Sequence, residues 1–384
     1  MINLIARIIC VVASLGALSL AQVARPSSHL SPSERQIIKL ACNHSVVMLG
    51  ENGHGDGSTI SIKARIIPEL VAHCGFSAIA FESSYYDFAE LARSTPAHHR
   101  YDRQKFLSAI GRIWNQDAEF QPLADWVARQ TSNKLAMFGI DDTFGSAGAT
   151  YSLSVMPGQL AMLVPENERP VCQALLALDG WPGLDDAAQQ SMTDHCLANA
   201  LESLVTSSNP DVSHLRAMAN AYRRSNARRR LQTNEFISAR DLAMADNLDA
   251  FRRALSPGTK IIVWVANAHA ALGGYKVGSP IGQIAKTRYG LDLFTVGFSS
   301  AGGKFRWSRN EVRKVPLASE DSLETRILQG RSAAVATQAQ LASMGTIPGS
   351  ALSWHQRIET NWSGLFDAIY VLGEERPTTI VIGN

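Results

Sequence analysis

Six short, near-continuous apolar runs punctuate the chain: SVVMLG (45–50), SAIAFES (77–83), LAMFGID (135–141), KIIVWVANAH (260–269), LDLFTVGF (291–298) and DAIYVLG (367–373). Runs of this length, rich in β-branched and aromatic residues, suit strands buried on both faces. Between the first two lies GSTISIKARIIPELVAHCG, whose apolar positions recur with helical spacing. Ser58 or Thr59 is its expected N-cap, and Gly75 stands just past its end. Strand, helix, strand then recurs, which predicts an α/β fold with a mostly parallel central sheet flanked by helices. Residues 151–258 break the rhythm. They contain no strand-like run and read as helices, so a helical insertion is expected there, a candidate lid beside the sheet. Its part 151–235 is expected to shape the pocket.

The first residues form a separate object. MINLIAR is a short basic stretch, IICVVASLGALSLA is an apolar run too short to span a bilayer comfortably, and SLA ends at Ala21 in a small-x-small pattern. Residues 1–21 therefore read as a signal peptide, with the α/β domain in 22–384 and no membrane span after cleavage. A secreted or periplasmic location is expected. Once Cys10 is removed, Cys42, Cys74, Cys172 and Cys196 remain, an even number that suits an oxidising compartment. Of the three pairings open to four cysteines, Cys42–Cys74 with Cys172–Cys196 is preferred, because Cys42 and Cys74 each end a helix-like segment just before a strand. Four buried free thiols are the alternative.

Composition narrows the partners. Apolar residues make up 46% and charged residues 18%, and the formal net charge is +2. The chain is globular, with no charge excess to suggest nucleic acid or a membrane surface, and a small-molecule substrate is expected. Arg223, Arg224, Arg228, Arg229 and Arg230 cluster in the insertion and read first as a solvated helix face. Trp114 and Trp126 read as core packing rather than as an aromatic wall.

The chemistry gathers at strand ends. The first strand leads into GENGHGDGS (50–58), which carries Glu51, His54 and Asp56 among four glycines. Glu82 closes the second strand, Asp141 and Asp142 the third, Asn267 and His269 the fourth. Carboxyl ends of parallel strands are where open α/β sheets bind ligands. The glycine-rich turn is not a phosphate loop: Asp56-Gly57 follows where Lys-Ser/Thr would be needed, and Ser58 occupies the third glycine position of a dinucleotide fingerprint. Instead, Gly53 and Gly55 are expected to present His54 to a ligand, with the acids beside it tuning an imidazole suited to general-base work on water. No complete GxSxG or HExxH motif occurs, which argues against a serine hydrolase of the nucleophile-elbow type and against a zincin.

These blocks together resemble the erythromycin esterase-like proteins. The resemblance rests on LGENGHGDGS with GFSAIAFES, on FGIDD, on ISARDLAMADNL and on IVWVANAHA (262–270), and covers roughly residues 45–300. It implies a hydrolase that opens a macrolactone ester with activated water, no covalent intermediate and no cofactor. His54 would be the general base. Glu51 and Glu82 would orient it or the water, and His269 would polarise or protonate near the scissile ester. Lys63 stands where the family usually has arginine, to bind substrate or hold a carboxylate. Asp141, Asn267 and Arg240 would complete the substrate site. Ala266 departs from a histidine found in many members. Two other readings stay open: a metal-dependent hydrolase using Glu51, His54, Glu82 and His269, and a non-enzymatic envelope protein that carries haem or a small ligand.

Overall fold

All six apolar runs are strands of one sheet. The computed structural model describes residues 30–180, 182–205, 210–273 and 278–381, so the leader-like residues 1–21 lie outside the described residues. The strands are β1 (Val46–Leu49), β2 (Phe76–Ser84), β3 (Ala136–Asp141), β4 (Lys260–Trp264), β5 (Leu293–Ser300), β6 (Gly303–Ser308), β7 (Glu311–Val315), β8 (Ala333–Thr337), β9 (Thr346–Gly349), β10 (Ile358–Asn361) and β11 (Ala368–Leu372). Seven of them form the central sheet in the order β3-β2-β4-β1-β5-β11-β8. Every pairing is parallel except that of β8 with β11. Strands β6 and β7 form a separate hairpin, as do β9 and β10.

The apolar runs are continuous because both faces are covered. Val47 and Leu49 pack with Ile60 and Ile67 of helix Gly57–Cys74, while Val46 and Met48 pack with Met244 and Leu248 of helix Thr233–Ala254. Helix Gly57–Cys74 ends on Gly75 at φ 74°, a left-handed residue that glycine adopts without steric cost. Its start differs from the sequence expectation. Neither Ser58 nor Thr59 is the cap residue; Asp56 is, and it makes no capping bond. Glu375, far along the chain, serves instead: it accepts the Ser58 N–H at 2.7 Å and the Thr59 hydroxyl at 2.7 Å.

Between β3 and β4 the described residues form only helices, from Thr150–Ser154 to Thr233–Ala254. They have a core of their own, in which Phe144 stacks on Tyr222 at 3.8 Å. The arginine cluster is not uniformly solvated. Arg228 is buried and pairs with Asp142 at the end of β3, and Arg224 lies 3.6 Å from the same carboxylate. The cluster thereby ties the helices to the sheet.

Cys42 pairs with Cys74 and Cys172 with Cys196, the preferred arrangement, at Cα separations of 4.9 and 5.6 Å. The first bridge links the helix before β1 to the helix after it. Replacing both Cys42 and Cys74 with serine is expected to lower the unfolding free energy by about 2–4 kcal/mol, through the greater freedom of the unfolded chain. A denaturant titration against the parent protein checks this; an unchanged midpoint would show that the bridge contributes nothing.

Candidate active site

The loop after β1 takes its shape from close approach to neighbouring protein rather than from unusual backbone angles. A Cβ on Gly50 would sit 2.1 Å from Asn267 Oδ1, and one on Gly55 would sit 2.0 Å from the Arg306 carbonyl oxygen. Neither glycine has positive φ. The neighbour at Gly55 is the β6–β7 hairpin, whose Arg306 N–H donates to the Gly55 carbonyl at 3.0 Å. The backbone on the other side is the segment Ser350–His355. Trp354 and His355 both adopt left-handed φ, 49° and 55°. Asn52 secures this turn: its backbone oxygen accepts the Trp354 N–H at 2.8 Å, and its Oδ1 accepts the His355 N–H at 2.9 Å. Asp56 accepts the Gly53 N–H at 2.9 Å and lies 3.0 Å from His355 Nε2. It therefore props the loop and does not touch His54, contrary to the sequence expectation for the acids of this turn.

Glu51 is the centre of the site. It is fully buried, and donors occupy both of its oxygens. Oε1 accepts His54 Nδ1 at 2.7 Å and the Trp114 indole N–H at 3.2 Å. Oε2 accepts Lys63 Nζ at 2.9 Å and the Trp264 indole N–H at 2.9 Å. Since an ionised carboxylate only accepts, the His54 proton sits on Nδ1, and Nε2 is left as a base. The His54 ring is 30% exposed and lines a cleft of about 450 Å³, together with Glu82, Asp141 and Arg240. Burial pulls the His54 pKa down. The Glu51 hydrogen bond and the Glu82 charge outweigh that, so it stands above the usual histidine value.

A second network lies across from this one. Arg240 Nη2 donates to Asp141 at 2.8 Å and to Glu82 at 3.1 Å. The other oxygen of Glu82 accepts the Ala266 backbone N–H at 2.8 Å. His269, in the short helix Asn267–Ala270 that follows β4, places Nδ1 2.5 Å from Asp241 and Nε2 3.1 Å from Glu82. Burial opposes its charge, but the two carboxylates prevail and lift it to about 10, so it is an imidazolium at neutral pH. Burial would raise Glu82, yet His269 and Arg240 hold it well below the ordinary carboxylate range. Glu82 is thus a fixed anion and a weak base. Among the described residues, no group of three or more His, Cys, Asp or Glu side chains is arranged to hold a metal ion.

The residues picked out in the sequence separate into three positions. His54, Glu82, Asp141 and Arg240 line the cleft. Glu51 and His269 stand behind them and hold them in place. Lys63 and Asn267 do not reach the cleft. Lys63 is fully buried on Glu51, its ammonium 4.0 Å from the Trp264 ring, and burial pulls its pKa down to about 8 despite the pair. Its ammonium is given to the Glu51 carboxylate, behind the residues that line the cleft. Asn267 is also fully buried and is used on the backbone, donating to the Phe298 carbonyl at 2.6 Å and accepting the Phe298 N–H at 3.0 Å.

The remaining walls come from unexpected places. Arg112, Ile113, the loop Gly145–Gly148, Arg306, Trp307 and Trp354 complete the cleft, and none of the described residues of 151–235 lines it. The Trp354 ring stands edge-on to His54 at 6.0 Å. Trp114 is a core residue, as read, but its indole N–H also serves Glu51. Trp264 does the same from inside an aliphatic strand; the sequence reading missed it, although a lone indole in such a run is a signal for a buried polar partner.

No curated protein matches the sequence at a significant level. Three solved structures share the architecture. A succinoglycan biosynthesis protein is 16% identical with a TM-score of 0.66, over 90% of this chain and 92% of its own. A protein from Bacillus cereus is 16% identical with a TM-score of 0.63, over 92% of this chain and 100% of its own. An erythromycin esterase, EreC, in the open conformation of a histidine-to-asparagine mutant, is 19% identical with a TM-score of 0.65, over 91% of this chain and 95% of its own. The erythromycin esterase family model matches residues 71–369, from the last turn of helix Gly57–Cys74 into β11. A match across most of the chain, on a sheet of this topology, makes the protein a member of the erythromycin esterase family.

Proposed function

We propose that this protein hydrolyses an ester or lactone with water activated by His54. Family membership supports an esterase-like hydrolase and a small-molecule substrate. The observation that carries the mechanism is the His54–Glu51 bond. It fixes the imidazole by Nδ1 and turns the basic Nε2 toward an open cleft. In this reading His54 Nε2 takes a proton from water as the oxygen attacks the ester carbonyl carbon. The tetrahedral oxyanion forms beside Arg240, whose Nη1 is the guanidinium nitrogen not given to Asp141 or Glu82. Collapse breaks the carbon–oxygen bond, and His54 returns its proton to the leaving alkoxide. Glu82, held ionised, accepts a hydrogen bond from the attacking water and aims it. The leader-like residues 1–21 and the two disulfides support an exported protein, secreted or periplasmic.

The test is a mass-spectrometric screen of macrolides, simpler lactones and esters for the gain of one water. On any substrate found, pH dependence checks the assignment of the base. The neutral form of His54 is the active one and its pKa is raised above 6.5. kcat/KM is therefore expected to climb through a pKa above 6.5 and hold a plateau until His269 deprotonates near 10. A rate that falls with rising pH across the neutral range would assign the base elsewhere.

A further inference from the structure

A second chamber of about 460 Å³ adjoins the cleft and shares His54, Arg112, Arg306 and Trp307 with it. Its basic groups differ from Arg240, which is spent on Asp141 and Glu82. Arg112, Arg306 and Arg309 have no carboxylate within ion-pair distance among the described residues. Arg306 is half-buried and aimed: Nε donates to the Thr378 carbonyl at 2.8 Å and Nη1 to the Arg309 carbonyl at 3.0 Å, which leaves Nη2 uncommitted. Arg112 is exposed, but its backbone N–H is tied to the Ala147 carbonyl at 2.7 Å. A Cβ on Gly148 would come within 3.1 Å of its Cδ, so the loop Gly145–Gly148 lies along the side chain. Arg313 covers the Trp307 ring at 3.7 Å, but its guanidinium is paired with Glu311 at 2.7 Å, so it packs on this wall without adding net charge. The acid of the chamber, Asp117, is buried, and burial pushes its carboxyl up to about 7, so it offsets the charge of Arg112, Arg306 and Arg309 only in part at neutral pH and less below it.

We propose that Arg112 and Arg306 form an anion subsite beside His54, so that the substrate is an ester bearing a carboxylate or phosphate near its scissile bond. Guanidinium groups with free N–H bonds suit either anion, since they donate in a two-pronged geometry. The inference rests on the hydrolase reading above for its reaction, though the subsite is testable without it.

The experiment follows acetate release from 4-acetoxybenzoate and from its methyl ester, which replaces the charge with one added methyl group, and adds 4-acetoxyphenyl phosphate as the phosphate arm. The anionic esters are expected to be favoured over the methyl ester in kcat/KM by about tenfold or more. Arg112→Gln is expected to cut that preference about tenfold, and Arg112→Glu to turn it toward 4-(trimethylammonio)phenyl acetate. Arg306→Gln also frees the Thr378 carbonyl, so the Arg112 variants carry the test. Whichever anionic ester leads assigns the group as carboxylate or phosphate. In parallel, tryptophan fluorescence follows binding of the uncleavable amide 4-acetamidobenzoate and its methyl ester. Arg112-dependent binding of the acid without hydrolysis of any ester would keep the subsite and remove the hydrolase reading. Equal binding and turnover of charged and uncharged partners, or a preference untouched by Arg112→Glu, would overturn the subsite.

Discussion

Replacing His54 with alanine is expected to lower ester turnover about a thousandfold or more and leave the protein folded. The loss follows from removing the general base, a contribution typically of two to four orders of magnitude, together with the group that returns the proton to the leaving alkoxide. Folding survives because the ring is partly exposed and packs edge-on against Trp114 and Trp354 without filling the core. Glu82 cannot take over. His269 and Arg240 hold it well below the usual carboxylate range, which makes it too weak a base to accept a proton from attacking water. The measurement is kcat/KM on a substrate from the screen, with circular dichroism of the variant. Turnover within tenfold of the parent would end the general-base assignment.

Glu51→Ala is expected to be the most damaging single change, because it strikes stability and catalysis together. It strands the Lys63 ammonium and two indole N–H groups in a fully buried pocket and frees the His54 ring to turn. Leaving one member of a buried ion pair without its partner typically costs about 3–5 kcal/mol. Turnover is expected to fall by about two to three orders of magnitude, since the imidazole loses both its orientation and its fixed tautomer. The double variant Glu51→Leu with Lys63→Met separates the two effects. It removes both buried charges and is expected to recover much of the stability while activity stays low. Urea midpoints and kcat/KM of the three proteins decide. A Glu51→Ala protein that unfolds at the parental midpoint would refute the central place given to this carboxylate.

The sheet was legible because its six parallel strands are buried on both faces, and double burial writes itself as continuous apolar runs. Strand β8 escaped notice because AAVAT is short and built largely of alanine. The β6–β7 hairpin escaped because EVRKV is largely charged and the alternation in GKFRWS extends only over Phe305 and Trp307, too short to stand out as a half-buried strand. At the site, residue type and strand position were enough to single out His54, Glu51 and Glu82, while Arg240, on a helix, came only with the family resemblance. They could not distinguish a polar side chain that faces the cleft from one buried beside it. The resemblance offers Asn267 for substrate and Lys63 for substrate or a carboxylate; the structure places Asn267 on the Phe298 backbone and Lys63 on Glu51. Arg306 and Trp354 were unreadable for a different reason. They reach the site through turns and a hairpin whose placement depends on backbone contacts with a loop some 250 to 300 residues earlier.

Those contacts carry a consequence for how the molecule comes to life. The loop that holds His54 is bonded to Arg306, Trp354 and His355, and the helix behind it is capped by Glu375. A polypeptide emerging during synthesis would carry His54, Glu82, Arg240 and His269 long before these partners exist. It is therefore expected to stay chemically silent until its last stretch docks, since sequence-distant contacts form late and slowly. Activity would then appear in a single step with completion of the fold, and shortening the chain from its far end would extinguish it without touching a reacting group.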